Sequence, residues 1–422
     1  MCNGFSYSKN IISNNNFINI ARKVRYFALI LLIFAFFILI GNIFNAPNIA
    51  NAESDSTGVY NELEKEIDNI VTNLDFSGID EILIDFNNNY SNYINSDNFK
   101  EFISNVIKGN TDANILDIWN VLKSSFLEVI KGVLSPLILI FVIVCLCNLL
   151  NTISSSKLSE SIRDVIYFFC LALIVIIVSL LIKDVITLCS ETITSIQKQI
   201  NAIFPILLTL MTAIGATSSV SVYTPVLSIF STTFINIFIN ILLPLFSSIV
   251  LIIIVSKLTK NNRLGKMNGF FSSLFKWVLG ATCTIFMTFL SFQGITASTK
   301  DGLSIKAAKF AIKNYVPLLG GYLSDGFEII KAGSVLVKNA LGYAGIILLF
   351  FTLIKPISYL CILSLGLKLI SGASDLIDNL KISSLLYDIA NALKMLVAIV
   401  VGIACMYFFI LFLCVCTGNV IM

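Results

Sequence analysis

From about residue 133 to its end the chain alternates long apolar runs with short polar interruptions. A membrane span needs about twenty apolar residues. Segments near 133–153, 165–182, 277–295 and 395–417 meet that requirement. Three others are apolar but irregular. The run at 203–216 is short and leads into "GATSSVSVYTP", which predicts a re-entrant or half helix; 225–255 is long and contains Pro244; 341–370 is interrupted by Lys355-Pro356. Before these runs, residues 53–132 are polar, with apolar positions at helical spacing in "NELEKEIDNIVTNL" (Leu63, Ile67, Ile70, Val71, Leu74). The pattern predicts an all-α, polytopic helical membrane protein with a small helical N-terminal region outside the cytoplasm.

The first 52 residues have a different logic. A basic cluster (Arg22, Lys23, Arg25) precedes an apolar stretch from Tyr26 to Ile40 and then Ala50-Asn51-Ala52. Basic region, apolar region and an A-x-A site are the parts of a secretory signal peptide, with cleavage expected after Ala52, the site set by Ala50 and Ala52.

Charge sharpens this division. The segment from Glu53 to Lys123 holds fourteen acids against four lysines, whereas the remainder from Ser124 onward has eleven acids against twenty basic residues. Basic residues in short loops favour the cytoplasmic side, so "SKLTKNNRLGKMNG" (Lys257, Lys260, Arg263, Lys266) is expected inside. Continuing from there places 296–340 outside and leaves 203–216 as an element that does not cross.

The outward region opens with "KDGLSIKAAKFAIKNYVPLLGGYLSDG". On a helix Lys306, Lys309 and Lys313 form one narrow basic edge between apolar flanks. Such a helix lies in the membrane plane with its lysines at headgroups, or packs with them facing a polar cavity or an acidic partner. Pro317, Gly320 and Gly321 then break it and permit close backbone approach. The whole stretch 300–340 therefore reads as an amphipathic segment beside the membrane, its lysines and hinge residues a candidate interface.

Composition narrows the chemistry. The chain is 57% hydrophobic and 13% charged, with mean hydropathy +0.90 and no histidine. Histidine-dependent metal sites and Ser-His-Asp or Cys-His catalysis are thereby excluded. No phosphate-binding loop or dinucleotide fingerprint occurs, and the cysteines lie in apolar runs without zinc or redox spacing. No cofactor, metal or nucleic acid is expected, and no enzymatic activity. Charge inside the apolar runs is limited to Lys276, the Lys183-Asp184 pair and Lys355. A Lys-Pro step in such a run is costly unless it meets water or a partner, so Lys355 and Pro356 are a candidate pore or interface position, or mark a loop between half helices. On residues alone, a subunit of a larger channel and a stand-alone permease with broken helices as its solute site are equally open.

The motifs "FLSFQG", "AAKFAIKNYVPLLGG" and "LSDG", in that order and spacing and preceded by "IFPILLTLMTAIGATSSVSVYTP", resemble the stage III sporulation protein AE family of spore-forming Firmicutes. The likeness covers nearly the whole chain after the leader and is strongest from about 203 to 345. It implies a multi-pass protein of the mother-cell membrane around the forespore, in a secretion-like channel that sustains the forespore after engulfment. Implied partners are the other proteins of the stage III sporulation A operon, including an ATPase and ring-forming subunits, and indirectly a forespore-made protein, besides membrane lipid. A homo-oligomer is compatible with it. The family supplies no catalytic residues to carry over.

Overall fold

The computed structural model describes residues 57–82, 115–154, 160–259, 264–315, 320–376 and 380–417, all within one compact unit. Among the described residues there are helices and turns and no strand. The helices are α1 (Thr57–Asn73), α2 (Ile115–Ser154), α3 (Glu160–Ala213), α4 (Thr217–Leu258), α5 (Leu264–Tyr315), α6 (Gly320–Leu376) and α7 (Leu380–Cys416). Six of these, α2 to α7, are long and apolar enough to cross a membrane.

Most of these rods are far longer than a bilayer requires. At about 1.5 Å per residue, the 54 residues of α3 reach about 80 Å and the 57 of α6 about 85 Å, against a hydrocarbon core of about 30 Å. Three interruptions expected from sequence are absent as a result. Segments 165–182 and 203–213 belong to the single helix α3. The span at 277–295 and the lysine stretch from 300 belong to the single helix α5, so that stretch is the far end of a rod and not a separate helix. The Lys355-Pro356 step lies inside α6, which continues through it. A proline removes one backbone donor, and in an apolar helix neighbouring helices and hydroxyl side chains re-satisfy the backbone. The polar region at 53–132 likewise has no structural edge at 132, because α2 runs through it.

Where the chain does turn, the local chemistry is legible. Gly215 has φ 84°, and the Gly215 N–H donates to Thr212 O and the Ala216 N–H to Met211 O, both at 2.9 Å. These two bonds and a left-handed glycine make a Schellman termination of α3. Within α4, π-helical segments Phe230–Phe234 and Phe238–Leu242 precede Pro244. The second of these widened turns falls where the proline ring denies a hydrogen bond to Asn240 and needs space against the preceding turn.

The rods run alternately between two ends. At one end Lys257 pairs with Asp388 at 2.8 Å, Lys381 stands 6.0 Å from the Tyr167 ring centroid, and Ser371 donates to Ser383 O at 2.8 Å. These contacts gather the end of α4, the start of α3, the end of α6 and the start of α7. At the other end Tyr223 and Thr417 share a hydrogen bond at 3.2 Å, and Ile67 and Ile70 of α1 pack where a Cβ on Gly333 would sit. Helix α1 buries Ile67 and Val71, two of the five apolar positions noted in the sequence, while Glu62, Glu64, Lys65 and Asp68 face outward. The centre of the bundle is the α6–α7 pair. It is close-packed through glycines: a Cβ on Gly342 would lie 2.1 Å from Val415 Cγ2, and one on Gly345 3.1 Å from Leu411 Cδ1.

Candidate functional site: a charged cleft and a polar flank

Lys183 and Asp184 on α3 meet Lys355 and Tyr359 on α6 across an open cleft of about 440 Å³, which Thr187 and Glu191 also line. Each helix is apolar before it reaches this level: 165–182 precedes the α3 residues, and Leu341–Ile354 precedes Lys355. The cleft therefore brings together two charged positions that the sequence reading singled out separately. Lys355 is exposed to it, while Pro356, turned about 100° around the helix, is buried. Lysine and carboxylate side chains of both signs, with a phenol, suit a hydrated or zwitterionic environment and exclude hydrocarbon as the neighbour.

The cleft marks a change in the outer face of α3. Before it the exposed large side chains are Val165, Phe168, Phe169, Leu173, Ile176 and Leu180. From it onward the exposed positions are Lys183, Asp184, Thr187, Glu191, Thr194, Ser195, Lys198, Asn201, Pro205, Thr209 and Thr212, then Ala213. Helix α4 shows the same change in the reverse direction. Its exposed polar positions Thr217, Ser221, Thr224, Ser228, Thr232, Asn236, Asn240, Pro244 and Ser247 follow one another at steps of three or four residues, with Ser248 beside the last and Ile229 and Ile241 exposed next to the stripe, and Leu251, Val255 and Leu258 come after. Positions at that spacing share one side of a helix.

Hydrogen bonds tie the two flanks together. Gln197 Nε2 donates to Ser231 O at 2.7 Å, and Ser231 Oγ donates to Asn201 Oδ1 at 2.6 Å. On the inner side of α3, Gln199 Nε2 donates to Thr352 Oγ1 of α6 at 2.7 Å, and Gln199 Oε1 is buried without a partner. Many of the outward hydroxyls bond their own helix four residues back, as Thr232 does to Ser228 O and Ser248 to Pro244 O, a geometry that leaves their oxygen lone pairs free for water.

A second polar feature lies at the end that carries α1. Lys338 is fully buried, and its ammonium donates to Val415 O at 2.8 Å and to Thr417 O. It thus serves the terminal carbonyls of α7, which have no partner inside their own helix. Sequence inspection passed over Lys338, because its partners are 77 and 79 positions away; its only signal was a lysine within the apolar stretch "SVLVKNALG".

The remaining sequence-derived positions divide as follows. Lys306, Lys309 and Lys313 lie on α5, but side chains from 292 to 327 are outside those described. Gly320 and Gly321 are the first residues of α6. Pro317, Ala50 and Ala52 lie outside the described residues. Among the described residues no group of three or more acids and cysteines is placed to hold a metal ion.

Fold and site define the chain as a polytopic, all-helical membrane protein with a polar flank and a charged cleft on an otherwise apolar bundle. The family model of stage III sporulation protein AE matches residues 97–418, and the chain belongs to that family. It is similar to stage III sporulation protein AE of Bacillus subtilis (strain 168), with 24% identity over 282 residues covering 65% of this chain and 69% of that protein. No solved structure matches it. Family membership implies a role in sporulation.

Proposed function

We propose that the chain is a non-enzymatic integral subunit of a secretion-like channel complex joining mother cell and forespore, needed for forespore development after engulfment. It sits in the mother-cell membrane around the forespore, with α1 outside the cytoplasm and the Lys257–Asp388 end inside. Its partners are the ATPase and ring-forming proteins of the same operon. The observation that carries this reading is membership over 97–418 in a family of stage III sporulation proteins, in a chain whose six apolar rods make a membrane body. The absence of a nucleotide-binding motif from the sequence fits a division of labour in which ATP is hydrolysed by another subunit.

The charged cleft favours one second reading, a stand-alone permease with Lys183, Asp184 and Lys355 at its solute site. Partner dependence separates the two. Affinity-tagged chain, extracted from membranes of sporulating cells, is expected to bring the operon's ATPase and ring subunits with it, and the purified chain alone to move no solute in proteoliposomes. Solute uptake by the chain alone, without any co-purifying partner, would establish the permease instead.

A further inference from the structure

The polar flank of α4 extends deeper than the end of a membrane span should allow. Helix α4 ends at Leu258, beside the Lys257–Asp388 pair that marks a charged boundary. Counting back from there, about twenty residues are needed to cross the hydrocarbon core, which takes the span to about Asn240. On one side of the helix the exposed positions within that thickness are Asn240, Pro244, Ser247 and Ser248, followed by Leu251, Val255 and Leu258. Ile241, adjacent to Asn240 but turned about 100° around the helix, is exposed as well. One face of α4 at this depth is therefore suited to lipid and the neighbouring face is not.

Lipid cannot satisfy an asparagine amide, whose transfer out of water without a partner is strongly unfavourable. Asn240 has at most a long contact with Asn236, at 3.4 Å. The face also carries the two π-helical segments, a distortion that recurs at functional sites. Further along the helix Asn236 and Thr232 are exposed too, and the Gln197–Ser231–Asn201 bonds join this part of α4 to α3, whose polar face leads to the charged cleft.

We propose that this face of α4, centred on Asn240, Ser247 and Ser248, is the wall of a water-filled passage inside the membrane thickness. Its hydroxyls and amides make it hydrophilic without a charge preference, so it suits small polar solutes of either sign, and selection by charge falls to Lys183, Asp184, Glu191 and Lys355 at the cleft. One chain supplies one wall, and the others come from further subunits. The inference deepens the channel reading above and rests on it.

The experiment is thiol accessibility in a cysteine-free background, with single substitutions Asn240→Cys, Ser247→Cys and Ser248→Cys on the polar face and Ile241→Cys and Leu251→Cys on the apolar face at similar depth. Isolated open membranes are treated with a charged, membrane-impermeant maleimide, and labelling is normalised to that of the same variant unfolded in detergent. The passage predicts that the three polar-face positions label at least tenfold faster than the two apolar ones. Equal fast labelling of all five would place this half of α4 outside the bilayer, and uniform protection would place lipid or protein against the polar face; either overturns the proposal. Uniform protection accompanied by intact co-purification of the operon partners would reject the passage while leaving the channel-subunit reading in place.

Discussion

Single residues set the tightest constraints in this bundle, and the clearest are at the end that carries α1. Lys338 is a buried cation held by backbone carbonyls of α7. Replacing it with methionine removes the donor and leaves buried carbonyls unpaired, at about 1–3 kcal/mol each. Lys338→Met is accordingly expected to lower the midpoint of thermal unfolding in detergent by several degrees; an unchanged midpoint would show that the lysine does not fasten α7. Gly342 makes a different test. A methyl there meets Val415 at 2.1 Å, so Gly342→Ala should destabilise by about 1–3 kcal/mol through overpacking. Adding Val415→Ala should recover much of that loss, and a double variant no more stable than Gly342→Ala would rule the contact out as the cause. At Gly215, with φ 84°, any side chain is strained by about 1–2 kcal/mol. Gly215→Ala should therefore destabilise the α3–α4 hairpin although the residue lies at its outer turn, a result readable as faster proteolysis between 213 and 217.

At the scale of the element, the sequence reveals where apolar rods are and conceals where they end. The runs near 133–153, 165–182, 277–295 and 395–417 all lie on helices, because hydropathy alone marks them. The joining of 165–182 to 203–213 was not legible that way. Lys183, Asp184, Glu191 and Lys198 lower the apolar content between the two, yet all four lie on the exposed face of one continuous helix whose other side is buried. Lys355-Pro356 misleads for the same reason: a polar side chain facing a cleft and a proline within packed helices look like a loop in one dimension. The Thr217-to-Ser248 spacing was written plainly in the sequence and is visible as a stripe once α4 is known to be one rod. The Lys257–Asp388 pair joins α4 to α7 but is partly exposed, at 24% and 38% of its side chains, where ion pairs contribute about 0–1 kcal/mol. Asp388→Asn should leave thermal stability within a degree or two of the parent, in contrast to Lys338→Met; a loss as large would mean that the pair is shielded by lipid or a partner.

For the molecule as a whole, the structure supplies two ends of different character. One gathers the termini of α4 and α6 with the starts of α3 and α7, next to the basic loop sequence from Lys257 to Lys266. The other carries α1, with its outward acids. Rods of up to about 85 Å exceed a bilayer more than twofold, so part of the bundle extends beyond it, and the polar face of α3 beyond Lys183 is the part fitted to water. The charged cleft was half legible: Lys355 and Lys183-Asp184 stood out as charges in apolar runs, but only the antiparallel packing of α3 on α6 brings them together.

In the proposed orientation the two ends lie on opposite sides of the membrane, and one measurement tests that directly. Single cysteines replacing Thr72 on α1 and Thr259 at the end of α4, both exposed, would be exposed to an impermeant maleimide on protoplasts of cells producing the chain before engulfment. Labelling at 72 in intact protoplasts, with labelling at 259 only after permeabilisation, is the expected result. Labelling at 259 in intact cells with 72 protected, or both positions on one side, would contradict the orientation and with it the proposal that α1 faces partners outside the cytoplasm.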